Sequence, residues 1–196
     1  MPGSSERRRT RLLFATSNRG KLEEARSVLG PLGFSVEGCD AKGVEIQADT
    51  TAEVAANSAA AAASKLGEPV LVEDAGLFVD ALGGFPGVYS AYALKTIGLR
   101  GVIALTKGSG SRAARFVSSV AYCEPGREPV VFEGSVRGRV AAKPRGSGGF
   151  GFDPIFVPDG SRSTFGEITL DEKCMVSHRG RALRKFAEWY LAEGRL

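Results

Sequence analysis

Pro69–Gly87, PVLVEDAGLFVDALGGFPG, is the stretch from which the rest of the chain is read. After the proline, Val70, Leu71 and Val72 form a short continuous apolar run, the pattern of a buried strand rather than of one side of an amphipathic helix. Glu73 and Asp74 follow at once. Ala75 and Gly76 are small enough to let the chain turn before a second apolar run, Leu77 to Leu82, which is read as a short helix. Acids at the C-terminal end of a buried strand stand where open α/β sheets place their ligands. Adjacent carboxylates repel each other unless a cation or a proton is shared, so the pair suggests a divalent-metal and general-base site. The same residues also suit a solvated strand end with a helix cap.

Upstream, Arg11 to Ala15 reads as a strand, and Thr16, Ser17 and Asn18 supply cap-type oxygens to a helix from Arg19 to Leu29. Leu22, Ala25, Val28 and Leu29 line its apolar face. Strand, polar turn and helix N-terminus form anion-binding geometry, because free N–H groups and the positive end of the helix dipole point at the ligand. Lys21 in the first turn fits an anion there, since the dipole alone disfavours a cation. TSNRGK has too few glycines for a Walker loop and lacks its ending, and a well-capped surface helix would look similar. Gly30, Pro31 and Gly33 end the helix, Phe34 to Gly38 reads as a second strand, and Ala41 to Asp49 is a loop carrying Glu45. Thr50 and Glu53 have capping-box spacing ahead of an alanine-rich helix that ends near Leu66. The resulting β-α-β-α-β opening predicts a partly parallel sheet.

Downstream, helices are expected over Val88 to Lys95 and Leu99 to Leu105. Ala114 to Cys123 alternates as a strand, and Val130 to Val136 returns beside it with a register that extends to Val140. A long antiparallel hairpin within α/β parts predicts a mixed sheet and a second lobe. Lys143 to Gly151 is too rich in glycine for a regular element, and Ser177 caps a last helix from Arg179 to Ala192.

The 196 residues suffice for one catalytic domain with two lobes. No run is long and apolar enough to span a bilayer, and the basic start MPGSSERRRTR has no hydrophobic signal core behind it. A cytoplasmic protein without a membrane partner is expected, with residues 1–10 as a flexible basic tail. Three scattered cysteines without a CxxC argue against a disulfide scaffold and a zinc cluster. The net charge of +4 favours anionic partners, either nucleotides or nucleic acid.

Five segments in order resemble the inosine triphosphate pyrophosphatase family: TSNRGK at Thr16–Lys21, VEDAGL at Val72–Leu77, ALGGFPGVYS at Ala81–Ser90, GFGFDPIFVPDG at Gly149–Gly160 and SHRGRAL at Ser177–Leu183. The resemblance runs from Leu12 to Leu191. It implies an elongated α/β fold with a long mixed central sheet and a substrate cleft between two lobes. It also implies hydrolysis of ITP, dITP and XTP to the monophosphate and pyrophosphate, with Mg2+ as cofactor and a homodimer as the usual assembly. By resemblance Thr16, Asn18 and Lys21 hold the triphosphate, within a turn that includes Ser17, Arg19 and Gly20. Glu45 and Asp74 look like metal ligands, with Glu73 beside them and Asp74 also the proton acceptor. Phe150 resembles the residue that stacks on the base, in a loop with Gly151 and Phe152. Asp153, Ser177, His178 and Arg179 resemble the base-reading set, and Lys173 the cation near substrate. The chain departs from the family pattern at Ala75, where serine is usual, and at Phe152, where tyrosine is frequent. It also departs in the alanine run after Asn57, where many bacterial members carry a lysine.

The chemistry agrees with the residue types. In-line attack on a triphosphate needs charge neutralisation more than covalent help, and Mg2+ takes oxygen ligands while keeping waters. Lys21 and Lys173 would offset developing charge. A donor-rich cluster around His178 and Arg179 suits a 6-keto purine, whose O6 accepts where the adenine amino group donates. Taken singly, each residue has a plainer reading: Glu45 a loop acid, Lys173 a surface pair with Asp171 and Glu172, His178 a cap, Phe150 a core ring. Two other functions share these features, a broader nucleotide or phosphate-ester hydrolase and a noncatalytic nucleic-acid-binding module. A central carboxylate pair opposes the latter, because without metal it would repel a phosphate backbone. No stable nucleic-acid partner is therefore expected.

Overall fold

The computed structural model describes residues 9–41 and 46–194. Strand β1 (Thr10–Ala15) leads into helix α1 (Arg19–Leu29), strand β2 (Phe34–Cys39) and helix α2 (Thr51–Leu66). Strand β3 (Val70–Val79) follows, then the two-residue β4 (Pro86–Gly87) and helices α3 (Ser90–Thr96) and α4 (Gly98–Leu105). The hairpin β5 (Ala113–Cys123) and β6 (Val130–Val140) precedes β7 (Phe156–Pro158), α5 (Leu170–Val176) and α6 (His178–Ala192). Of the tail expected over residues 1–10, residues 1–8 lie outside the described residues, while Thr10 already belongs to β1.

One mixed sheet runs in the order β2–β1–β3–β5–β6–β7, with β4 paired to β3 off that path. β1 is parallel to β2 and β3, as the opening βαβ units require, and the later pairs are antiparallel. The fold is therefore the expected α/β mixed sheet flanked by helices.

The central strand corrects the sequence reading. It does not end at the acids and no helix begins at Leu77: all of Val70 to Val79 pairs with Cys123 to Ala114 of β5. Ala75 and Gly76 are strand residues, and glycine is required at 76 because a Cβ there would meet the Gly87 carbonyl oxygen. On its other side β3 pairs with β1 only at Val70 and Leu71, and with β4 only at Leu77 and Phe78. Between them, Val72 to Gly76 have no strand neighbour on that side among the described residues. A gap in the sheet, not a strand end, opens the acids to ligand.

Side chains alternate across a strand, so Glu73 and Asp74 point to opposite faces of the sheet. Glu73 shares the face of Leu71, Leu77 and Val79. That face carries two apolar clusters, one built on α1 and α6 with Phe14, Leu71, Tyr122 and Phe186, the other on Leu77, Phe116, Phe156 and Phe165. Asp74 shares the face of Val70 and Val72, which α2 covers through Ala55, Ala59, Ala62 and Ala63. The alanines let helix and sheet approach closely and favour the helix itself.

Between the two clusters, Ala75, Ser118 and Gly134 form one row across β3, β5 and β6. Small residues there admit the start of α6: a Cβ at Gly134 would lie 2.1 Å from the His178 carbonyl oxygen and 2.6 Å from the Ala182 nitrogen. Because both neighbours are backbone, Gly134→Ala should push α6 off the sheet and cost about 1–3 kcal/mol, the usual range for overpacking. Thermal unfolding measures that loss. An unchanged melting temperature would show that the contact yields freely.

Candidate active site

Two cavities meet at the gap in the sheet. One, of about 560 Å³, is lined by Thr16, Ser17, Asn18 and Lys21 with Asp74 and the α2 residues Val54 and Ser58. The other, of about 380 Å³, is lined by Phe150, Asp153, Lys173, His178 and Arg179. Asn18, Lys21, Asp74, Val88 and Ala91 border both, so the two form one cleft.

The first cavity is built on the start of α1. Asn18 caps the helix, its side chain accepting from the Lys21 N–H at 3.2 Å, and Thr16 Oγ1 accepts from the Asn18 N–H at 3.1 Å. Lys21 then reaches β3, where its Nζ donates to the Glu73 carbonyl at 3.0 Å and stands 3.0 Å from Glu73 Oε2. That carbonyl lies where β3 has no strand neighbour, so the lysine takes a place that a backbone N–H would otherwise fill. Of the residues expected in this turn, Arg19 is exposed and outside the cavity lining. Gly20 serves as a platform, because a Cβ there would fall 2.3 Å from Phe150 Cδ1.

The second cavity rests on a buried ionic network. Lys173 is 2 % exposed and pairs with Glu24 at 2.6 Å and Asp153 at 2.5 Å. Arg179, equally buried, pairs with Glu24 at 2.8 Å and Glu73 at 3.0 Å, and Ser118 donates to Glu73. Glu24, Glu73 and Asp153 thus balance Lys173, Arg179 and the half-buried Lys21, which is the condition for the buried charges to sit out of water. Phe150 lies over two of the cations, its ring centroid 4.7 Å from Lys173 Nζ and 5.1 Å from Arg179 Cζ.

This network changes the role expected of Glu73. Its carboxylate is enclosed by Ser118, Lys21 and Arg179 with no exposed side-chain surface. Burial alone would raise its pKa, but the two cationic charges outweigh that and hold it at about 2. Glu73 thus stands as a counter-ion beside Lys21 and Arg179. Asp74, on the other face, borders both cavities. Glu45 lies outside the described residues. Mg2+ commonly uses one or two carboxylates together with substrate phosphates, and a carboxylate such as Asp74 at the first cavity fits such an ion.

Ser177 is the helix cap that the sequence predicts. Its side chain accepts from the Gly180 N–H at 3.1 Å, capping α6, and it does not line the cavity. Its cap places His178 and Arg179 in the first turn of α6. The His178 ring stacks on Phe116 at 4.4 Å and 8°. Its Nδ1 has no hydrogen-bond partner among the described residues. Burial, with Arg179 and Lys173 close by, keeps its pKa well below 6.5, so the imidazole is neutral and offers one donor and one acceptor. Asp153, Gly151 and Phe152 line the same cavity, as does Ala75 from β3.

Glu24 and Ser118 were not expected in the site. Glu24 had a signal in the sequence: it stands three residues after Lys21 and four before Val28, on the inward stripe of α1. Ser118 had none beyond the strand alternation.

The pH dependence of stability follows from these groups. His178 binds a proton in the unfolded chain near pH 6.5 but not in the fold, so stability is full above about 6.5 and falls as pH drops below it. Glu73 adds a second loss, beginning below the ordinary carboxylate range of about 4.3 and complete as pH nears its folded value of about 2. Denaturant unfolding from pH 8 to pH 4 should show the first slope in the native chain and lose it in His178→Asn. A slope retained in the variant would mean that groups other than the histidine carry it.

The geometry has clear relatives. The Ham1 family matches residues 12–189. The dITP/XTP pyrophosphatases of Methanopyrus kandleri and Thermococcus kodakarensis are each 53% identical, over 92% and 91% of this chain and 96% of their own lengths. A solved HAM1 protein from Coxiella burnetii superposes with a TM-score of 0.83 at 29% identity, covering 93% of this chain and 99% of that one. A dITP/XTP pyrophosphatase from Mycobacterium abscessus does so with a TM-score of 0.71 at 35% identity, covering 90% of this chain and 98% of that one. With a match across nearly its whole length and with the cleft residues in place, the chain belongs to the Ham1 family.

Proposed function

We propose that the protein hydrolyses ITP, dITP and XTP to the nucleoside monophosphate and pyrophosphate, clearing them from the nucleotide pool. One observation carries this reading: a pocket holding a neutral imidazole, whose Nδ1 has no hydrogen-bond partner among the described residues, adjoins the cavity at the start of α1 through the shared residues Asn18, Lys21 and Asp74. The relatives named dITP/XTP pyrophosphatase support it.

The triphosphate lies on the start of α1, where the N–H groups of the first turn and Lys21 receive its oxygens. Glu73 holds Lys21 from behind, so the lysine is oriented before substrate arrives. The base enters between Phe150 and the start of α6, where His178 and Arg179 face its keto oxygen. Asp74 orients a water towards the α-phosphorus and accepts its proton, the water oxygen forms the new bond, and pyrophosphate leaves. Mg2+ held by Asp74 and the phosphates would supply the positive charge that this attack requires. The cytoplasm, where the nucleotide pool lies, is the proposed place of action. A symmetric homodimer is proposed from the exposed aromatic rim of Phe85, Tyr89 and Tyr92, and light scattering at micromolar concentration tests it.

Product analysis tests the reaction. Incubation with ITP and Mg2+ should yield IMP and pyrophosphate, with little turnover of ATP. Release of orthophosphate with IDP would overturn the reading.

A further inference from the structure

Three phenylalanines, Phe116, Phe150 and Phe152, line the second cavity. Phe116 and Phe152 are buried, and Phe116 is already stacked on His178. Phe150 is half-buried, so among these three it is the ring with surface left for a planar base to lie on.

Little holds that ring in place. The chain on either side of it is glycine, and Gly149 and Gly151 both adopt left-handed backbone, with φ of 68° and 63°. The Phe150 N–H donates to Asp153 Oδ2 at 2.7 Å, which fixes the backbone but not the side chain. The ring itself meets Lys173 Nζ at 4.7 Å, Arg179 Cζ at 5.1 Å and the first turn of α1 at Gly20. A Cβ on residue 20 would fall 2.7 Å from Phe150 Cε1 and nearer still to Cδ1. The backbone does not call for glycine there. Gly20 is a helical residue without a positive φ, and alanine is the better helix former. What the position requires is space for the ring. The turn that gives this space is also the one whose N–H groups face the first cavity, since Gly20 lies between Asn18 and Lys21, which border both cavities.

We propose that Gly20 is a positioning residue: by carrying no side chain it seats Phe150 against the start of α1, so that a base stacked on the ring and a triphosphate on the N–H groups are held by one turn. The proposal rests on the function given above and adds how the two ends of the substrate are kept in register. A Cβ at residue 20 opposes side-chain atoms flanked by glycines, not backbone, so the ring moves away and the fold survives.

The test is Gly20→Ala. KM for ITP should rise at least about fivefold, the low end of what loss of a base–aromatic stack costs. The change should fall mainly on KM, because a stack is present in ground state and transition state alike. Inorganic triphosphate has no base, so its Ki as a competitive inhibitor should be unchanged, and the melting temperature should not fall. Phe150→Ala should raise KM for ITP in the same way. Adding Gly20→Ala to it should then cost nothing more, because the ring to be displaced is gone. If Gly20→Ala leaves KM for ITP unchanged, or if the two substitutions add, the glycine does not act through the ring and the proposal fails while the function stands. A Ki for inorganic triphosphate that rises together with KM would place the effect on the phosphate turn and overturn the proposal as well. If the unaltered protein releases no pyrophosphate from ITP, function and proposal fail together.

Discussion

Asp74→Asn is expected to lower kcat for ITP by at least about 10²-fold, the usual worth of a positioned acid–base group. The substitution keeps the shape of the side chain and removes the charge that faces the cleft from the open side of β3. It should leave the fold intact. The backbone pairing of β3 with β5 does not depend on the Asp74 side chain. The contrast with Glu73 is informative, because the acids are neighbours in sequence and opposed in space. Glu73→Gln should unsettle Lys21 and Arg179 and affect stability as well as activity. Steady-state kinetics on ITP with saturating Mg2+, together with circular dichroism, separates the two. Near-normal turnover by folded Asp74→Asn would move the base and metal assignments elsewhere.

Arg179→Ala is expected to destabilise the fold by about 3–5 kcal/mol, the range found when one partner of a buried ion pair is removed. The guanidinium meets Glu24 at 2.8 Å and Glu73 at 3.0 Å, and its removal would leave both acids out of water with less compensation. The family resemblance suggested a base contact, for which the variant would lose more activity on ITP than on ATP. Burial changes that expectation: activity on ITP, GTP and ATP should fall together unless the measurement is made well below the lowered melting temperature. Under those conditions, preference for ITP over ATP should shrink. Urea unfolding with kinetics at low temperature measures both effects, and a stable variant with unchanged preference would overturn both assignments.

Much of this was legible in the chain. The βαβ opening, the alanine-rich helix and its capping box, the β5–β6 hairpin and the Ser177 cap are local patterns, set by side-chain periodicity and by oxygen-bearing residues at helix starts. The cleft residues were legible as types, because a triphosphate demands cations, N–H groups and a carboxylate, and few stretches supply them. The course of β3 was not. Ala75 and Gly76 look like a turn locally, and only ten continuous pairs with β5, distant in sequence, hold them extended. The parting of Glu73 from Asp74 follows from that strand, since alternation sends adjacent side chains to opposite faces. The burial of Glu24, Lys173 and Arg179 was equally a tertiary matter. Lys173 reads as an ordinary surface charge in its own helix and Glu24 shows only its place on the inward stripe of α1, and only the meeting of α1, α5 and α6 excludes water and makes them partners of Arg179.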